Sequence, residues 1–177
     1  HELRTIQWAG DETKFNGISG GWSTIDGRSV ADAFSYPVFE NLREQCAGQA
    51  DIFGFKDTDN VIVRARREAF SAEGLLVSDN FFSALQTRPL IGRLFMPGGN
   101  QEDDALGMVI SYPLWEREFD LDPNALGQFV TVDNHSFTVI GILPLGFPSV
   151  RAGKEFLFYV SMAAQPQIKP DCPKSNP

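Results

Sequence analysis

Gly74-Leu75-Leu76-Val77-Ser78-Asp79-Asn80-Phe81-Phe82-Ser83-Ala84-Leu85, followed by Arg88-Pro89-Leu90-Ile91-Gly92-Arg93-Leu94-Phe95, is the stretch whose reading decides the fold. An uninterrupted apolar run up to Val77 reads as a strand buried on both faces. Asp79-Asn80 is placed to cap a short helix through Leu85 that buries Phe81, Phe82 and Leu85. The aliphatic return from Leu90 stops at Gly92. Working outward, Met108 to Ser111 has the same buried-strand pattern, and Pro113 opens a second helix carrying Leu114, Trp115 and Phe119 inward. Phe129 to Val132 and Ser136 to Ile142 flank Asp133-Asn134, two residues that tolerate positive φ, which predicts a tight hairpin. Phe156 to Val160 is a last buried strand.

Toward the N-terminus, Ile52, Phe53 and Phe55 predict one strand, Val61 to Arg67 another and Ala69 to Val77 a third, with Asp57-Thr58-Asp59-Asn60 as a turn. Ser35 and Pro37 open a helix with Val38, Phe39 and Leu42 on one stripe, ending near Gly48. Residues 2–8 alternate as a half-buried strand, and residues 10–33, rich in Gly, Asp and Ser, read as a long loop. From Gln165 on, the prolines predict an extended linker. The sum is α+β: mixed, mainly antiparallel short strands with two or three short helices, and no βα rhythm long enough for a doubly wound sheet.

Composition narrows the function. With 42% hydrophobic residues and 15 Phe, the chain can bury a core without disulfides. A formal charge of −8 disfavours nucleic acid and anionic lipid as partners. No apolar run approaches the roughly 20 residues that span a bilayer. No signal peptide is expected in an N-terminus without a basic segment leading into an apolar one. A chain opening on His1 instead of Met is expected to be a piece of something longer. Cys46 and Cys172 fit neither a zinc site nor a C-x-x-C pair, and the sequence leaves pairing and free thiols both open.

The sequence gives little support to catalysis. His135 follows the hairpin turn and reads as an exposed turn histidine with no partner near it in sequence, and there is no Walker A loop. Asp57-Thr58-Asp59-Asn60 and Asp120-Leu121-Asp122-Pro123-Asn124 imitate the opening of a calcium loop. The glycine position holds Ile62 in the first and Ala125 in the second, so both read as turns and caps. Arg64 and Arg66 read as a solvated strand face, and the Glu102-Asp103-Asp104 run as exposed loop. Asn134-His135-Ser136 matches a glycosylation sequon but already explains itself as a turn.

Several blocks, in order, resemble the periplasmic core domain of MacB-type ABC transporter permeases. They are Phe34-Ser35-Tyr36-Pro37-Val38-Phe39-Glu40-Asn41-Leu42-Arg43, Ala72 to Phe95 with Asn80-Phe81-Phe82 and Gly92-Arg93-Leu94-Phe95, Val109 to Phe119, Asp122-Pro123 to Gly127, and Val132 through Gly146-Phe147. The resemblance has the flavour of the large permeases abundant in acidobacteria, within the wider MacB-, FtsX- and LolC-like superfamily. The resemblance implies a soluble domain between the first and second transmembrane helices, in two lobes. Residues 1–77 with 156–177 would form part of a porter-like βαβ lobe, and residues 78–155 a Sabre-like lobe. The family's second porter half has no counterpart before Pro177.

The resemblance further implies an extracytoplasmic, non-catalytic domain on the periplasmic face of the bacterial inner membrane. It would relay ATP-driven transmembrane motion to substrates or partner proteins in export, efflux or envelope traffic. No cofactor and no metal are expected in it, because ATP is used by a separate cytoplasmic ATPase. Expected partners are the transmembrane helices of the same polypeptide, that ATPase, and a periplasmic adaptor or substrate protein. Trp22, Gly98, Asn100 and Asp103, in the 10–33 and 96–106 loops, are the candidate partner-contact residues. The competing reading is a secreted or periplasmic carbohydrate- or peptide-binding module, which calls for a groove lined by Trp8, Trp22 or Trp115.

Overall fold

The computed structural model describes residues 2–8, 22–25, 28–31, 33–34, 36–45, 47, 50–58, 60–98, 104–151 and 153–164. Strand β1 (Glu2–Trp8) pairs in parallel with both β4 (Ala33–Phe34) and β5 (Ala50–Asp57). Helix α1 (Tyr36–Gln45) lies between β4 and β5 in the chain, so the parallel strands β1 and β5 are joined through a crossover that contains a helix. Phe39 of α1 is 1% exposed and lies over Gly54, where an added Cβ would come within 3.2 Å of its ring. Glycine there lets the helix sit close on the strand.

Beyond β5 the chain forms one long ribbon with a crease. On one side run β5 and β6 (Val61–Arg64), on the other β7 (Phe70–Ala72) and β8 (Gly74–Val77). Phe55 faces Val77 before the crease and Val61 faces Ala72 after it, six steps along the first side against five along the second. That extra residue acts as a β-bulge and flips the side chains of the first strand to the other face. Phe53 and Phe55 join one core, Val61 and Val63 the other. Thr58 holds the crease: its N–H donates to Gly74 C=O and its Oγ1 accepts from Gly74 N–H, both at 3.0 Å.

The sheet is 11-stranded, in the order β4-β1-β5-β8-β13-β10-β12-β11-β6-β7. Here β10 is Gly107–Ile110, β11 Phe129–Val132, β12 His135–Ile142 and β13 Phe158–Ser161; β9 (Ile91–Gly92) adds onto β12. Because β7 at one end and β8 in the middle are separated in the chain by Glu73 alone, the sheet must curl back on itself. Val63, Leu76, Ile110, Val132, Phe137 and Phe158 converge inside the curl. Helix α3 (Tyr112–Phe119) closes it with Leu114, Trp115 and Phe119. The outer side is covered by the one-turn helix α2 (Phe81–Ala84) and the 90–95 return, which bring Phe81, Phe82, Leu94 and Phe95 onto Leu75, Val77, Val109 and Tyr159. Strands β8, β10 and β13 are therefore buried at every position, which is why they read as unbroken apolar runs.

Two glycines far apart in sequence meet in space. Gly92 pairs with Gly141 across β9 and β12. A Cβ on Gly141 would lie 2.0 Å from Arg93 O, and one on Gly92 2.4 Å from Ile140 O. Only paired glycines admit this approach of backbones.

The elements match the expected α+β class of mostly short antiparallel strands and few short helices. Asp133 (φ 44°) and Asn134 (φ 73°) form the two-residue turn of the β11–β12 hairpin. Three differences have physical reasons. Part of the expected 10–33 loop is a two-stranded hairpin, β2 (Trp22–Ile25) with β3 (Arg28–Ala31), where short alternation is hidden among glycines and serines. Asn80 precedes α2 but does not cap it with its side chain: its Oδ1 accepts from Ser78 Oγ and its Nδ2 donates to Ile52 C=O, extending the sheet edge past β8. Asp104, expected in exposed loop, is buried against Arg93 at 2.7 Å. Ser35, Cys46, Cys172 and the stretch from Gln165 lie outside the described residues. No helix among the described residues is long and apolar enough to cross a membrane.

Two substitutions test this packing. Gly141→Ala should lower unfolding stability by about 2–3 kcal/mol, as overpacking against backbone does, whereas Gly98→Ala meets nothing within 4 Å and should cost about 1 kcal/mol from its positive φ. Urea unfolding curves of the two variants measured together would check the order.

Candidate functional site

Among the described residues, ion pairs join several segments that lie far apart in sequence. The turn after β6 is latched to the end of α3. Arg66 meets Asp122 at 3.1 Å, Arg67 meets Asp120 at 2.7 Å, and the buried Glu118 carboxylate accepts from Arg67 N–H and pairs with Arg117. Asp122 also caps a 3-10 turn by accepting from Asn124 N–H. That backbone bond first, and Arg66 second, hold the Asp122 carboxyl below its ordinary pKa. The crease is pinned the same way. Asp57 faces Lys154 at 3.3 Å, and Glu73 faces Lys154 at 2.9 Å. Asp57 Oδ1 and Arg151 Nε are both buried and face each other at 3.0 Å as charges without forming a hydrogen bond. The hydrogen bond to Glu73, then that to Asp57, raises the Lys154 pKa against the opposing effect of desolvation.

A concave site of about 360 Å³ opens between the start of α3 and the loop after β12. Tyr112 and Pro113 form one wall; Pro144, Leu145 and Phe147 form the other; Tyr159 lies at the floor. Ser111 sets the first wall, since its Oγ accepts from Leu114 N–H at 3.3 Å and so starts the helix there. The second wall is a turn closed by Phe147 N–H to Pro144 C=O at 3.2 Å, with Gly146 at φ 79°. That turn pushes Leu145 outward to 72% exposure, the most of any large apolar side chain among the described residues. The Tyr159 ring is 3% exposed and packs edge-on against Phe147 at 5.7 Å and Phe82 at 5.6 Å. Burial, and secondarily the Glu155 charge, push its hydroxyl well above the ordinary tyrosine range, so it stays a donor.

The residues singled out from sequence are not brought together at this groove. Trp22 has its backbone in β2, and its side chain lies outside the described residues. Gly98 is exposed at φ 72°, while Asn100 and Asp103 lie outside the described residues. The base of that loop is fixed by Arg93 on Asp104, and exposed Met96 and Leu106 flank it. Trp115 is core, 6% exposed, with Nε1–H donating to Asp122 C=O at 2.8 Å. His135 is half buried at the start of β12 instead of exposed, and its Nδ1 is buried without a hydrogen-bond partner among the described residues. It stands in register with Phe137 and Val139 on the inner face, which draws the ring inward. Asp57, Asp120 and Asp122, the imitators of calcium loops, are engaged with Arg and Lys. Tyr159 and Leu145 were missed because a buried strand residue and a turn residue look ordinary in sequence; the one available signal was Pro144-Leu145-Gly146, which forces the middle residue outward.

The Asp122 latch gives a pH test. A folded-state pKa below the ordinary 3.8 means its contribution is present above that pH and fades as pH falls through the lowered value. Asp122→Asn should therefore be less stable than the parent at pH 6, with the gap closing in acid, as read from urea midpoints across that range.

The comparisons agree with this fold. The profile of the MacB-like periplasmic core domain matches residues 6–171. The periplasmic region of MacB from Actinobacillus actinomycetemcomitans superposes with a TM-score of 0.56 at 17% identity, over 73% of this chain and 55% of that one. The extracellular domain of the noncanonic ABC-type transporter YknZ from Gram-positive bacteria gives 0.48 at 19% identity, over 62% of this chain and 53% of that one. A domain of a putative permease from Porphyromonas gingivalis gives 0.44 at 12% identity, over 60% of this chain and 44% of that one. This chain thus spans about half the length of the solved chains it resembles. None of the curated proteins matches it in sequence. A profile match over nearly the whole sequence, on a fold shared with the MacB periplasmic region, is what assigns the chain: it belongs to the MacB-like periplasmic core domain family.

Proposed function

We propose that this chain is the extracytoplasmic domain of an ABC transporter permease, held between transmembrane helices of the same polypeptide on the periplasmic face of the inner membrane. It works without catalysis or cofactor, relaying movement driven by a cytoplasmic ATPase to a substrate or a partner protein in export or envelope traffic. The family match over residues 6–171 carries this reading. The packing supports it: close-packed interiors transmit displacement instead of absorbing it, and here two cores back the same strands. Residues 78–155 lie between β8 and β13, which pair directly, so a Sabre-like insertion would be rooted in the centre of the sheet. Partner contact falls on the β2–β3 hairpin at Trp22 and on the segment bearing Gly98, Asn100 and Asp103, whose base is fixed by Arg93 and Asp104.

Ser136 is exposed on β12 and reports on both location and relay. In the full-length permease with Cys46→Ser and Cys172→Ser, a Ser136→Cys thiol should react with a membrane-impermeant maleimide in intact spheroplasts. Its labelling rate should change when the cognate ATPase is trapped with ATP and vanadate. Labelling only after lysis would refute the location, and an unchanged rate would refute the relay.

A further inference from the structure

We propose that the groove between α3 and the 144–147 turn is a docking site for an extended, proline-rich segment carrying a basic residue. Its walls are two aromatic residues and two prolines, Tyr112, Pro113, Pro144 and Phe147, with the exposed Leu145 beside them. Such walls match the ridges of a polyproline II helix, which is already ordered before it binds. Strand addition is closed to a ligand at this floor. Strand β13 is paired by β8 and β10, and β10 by β13 and β12, so no free ladder edge faces the groove. A bound backbone must therefore keep its own amides solvated, as polyproline II does.

Two polar groups set the orientation and the charge. The Tyr159 hydroxyl makes no hydrogen bond among the described residues and is held in its donor form at the floor, where a carbonyl of an extended ligand would meet it. Lys154 at the rim is already neutralised by Glu73 and Asp57, whereas Glu155 makes no ion pair among the described residues. The rim is therefore net acidic on a chain of charge −8, which selects a basic residue beside the prolines and rejects an acidic one. The groove's chemistry stands whether or not the domain couples to an ATPase, so the result below is independent of the transporter reading.

The test is a nuclear magnetic resonance titration of the 177-residue chain with a capped ten-residue peptide of Pro-Leu-Pro repeats ending in Arg. Saturable shifts centred on Tyr112, Leu145 and Phe147 are expected, with a dissociation constant on the order of 100 μM, as suits a small exposed interface. Tyr159→Phe, which removes only the hydroxyl, should weaken binding about fivefold to tenfold. Glu155→Gln should weaken it about twofold to fivefold and remove most of the salt dependence. Leu145→Ser, at an exposed position, should weaken binding while leaving the melting temperature unchanged. The proposal fails if the peptide does not saturate, if a Pro-to-Ala version binds equally well, or if Tyr159→Phe binds like the parent. It fails equally if the same resonances move with protein concentration alone, the signature of a second copy in the groove, or with an oligosaccharide in place of the peptide.

Discussion

A single extra residue in the ribbon from β5 to β8 governs the shape of this molecule. Without it, Phe53, Phe55, Val61 and Val63 would lie on one face, and the strand could serve only one core. With it, the ribbon lends two phenylalanines to the outer layer and two valines to the interior of the curl. The crease also fixes where the sheet bends back. Gly74 stands at that point, and a Cβ there would fall 2.3 Å from the Phe158 ring, so β13 can approach β8 only because this residue has no side chain. Thr58 satisfies both backbone groups of Gly74, which the bulge would otherwise leave without ladder partners.

How much of this was legible follows from the range of each interaction. The β11–β12 hairpin is local: Asp133 and Asn134 carry the turn and the alternation around them carries the register. Helix α3 is local too, since Ser111, Pro113 and the spacing of Leu114, Trp115 and Phe119 lie within nine residues. Strands β8, β10 and β13 announce themselves by apolar runs because both faces are covered. What could not be read was the pairing that makes a ribbon of residues 50–77 instead of three separate strands, because a bulge leaves no mark in composition. Nor did sequence reveal that Asn80 completes a sheet edge, that Asp104 turns inward to Arg93, or that His135 is drawn under the hairpin.

The site was less legible than the fold for the same reason. Its walls come from residues 112–113 and 144–147 and its floor from Tyr159, three segments joined only by the order of β12, β10 and β13 in the sheet. The loop bearing Gly98 shows the opposite situation. Its composition marks it as surface, but the feature that gives it a defined position, the Arg93–Asp104 pair, joins residues 11 apart in sequence.

The charges bring fold and function together. Exposed ion pairs contribute little each, yet here they join segments that sequence separates widely: Arg43 with Asp79, Arg66 with Asp122, Arg151 with Asp57. Where one partner is buried, as with Asp104 and Glu118, losing the arginine would strand a carboxylate in the interior, a far larger penalty than the pair's own worth. The acidic excess left over after these pairings is what the surface offers to other molecules. These pairs brace the body of the domain, while Leu145 and Met96 are exposed and Glu155 lines the groove without an ion pair among the described residues. The proposed relay would require that combination: a packed, ion-paired interior, with contact groups kept out of the bracing.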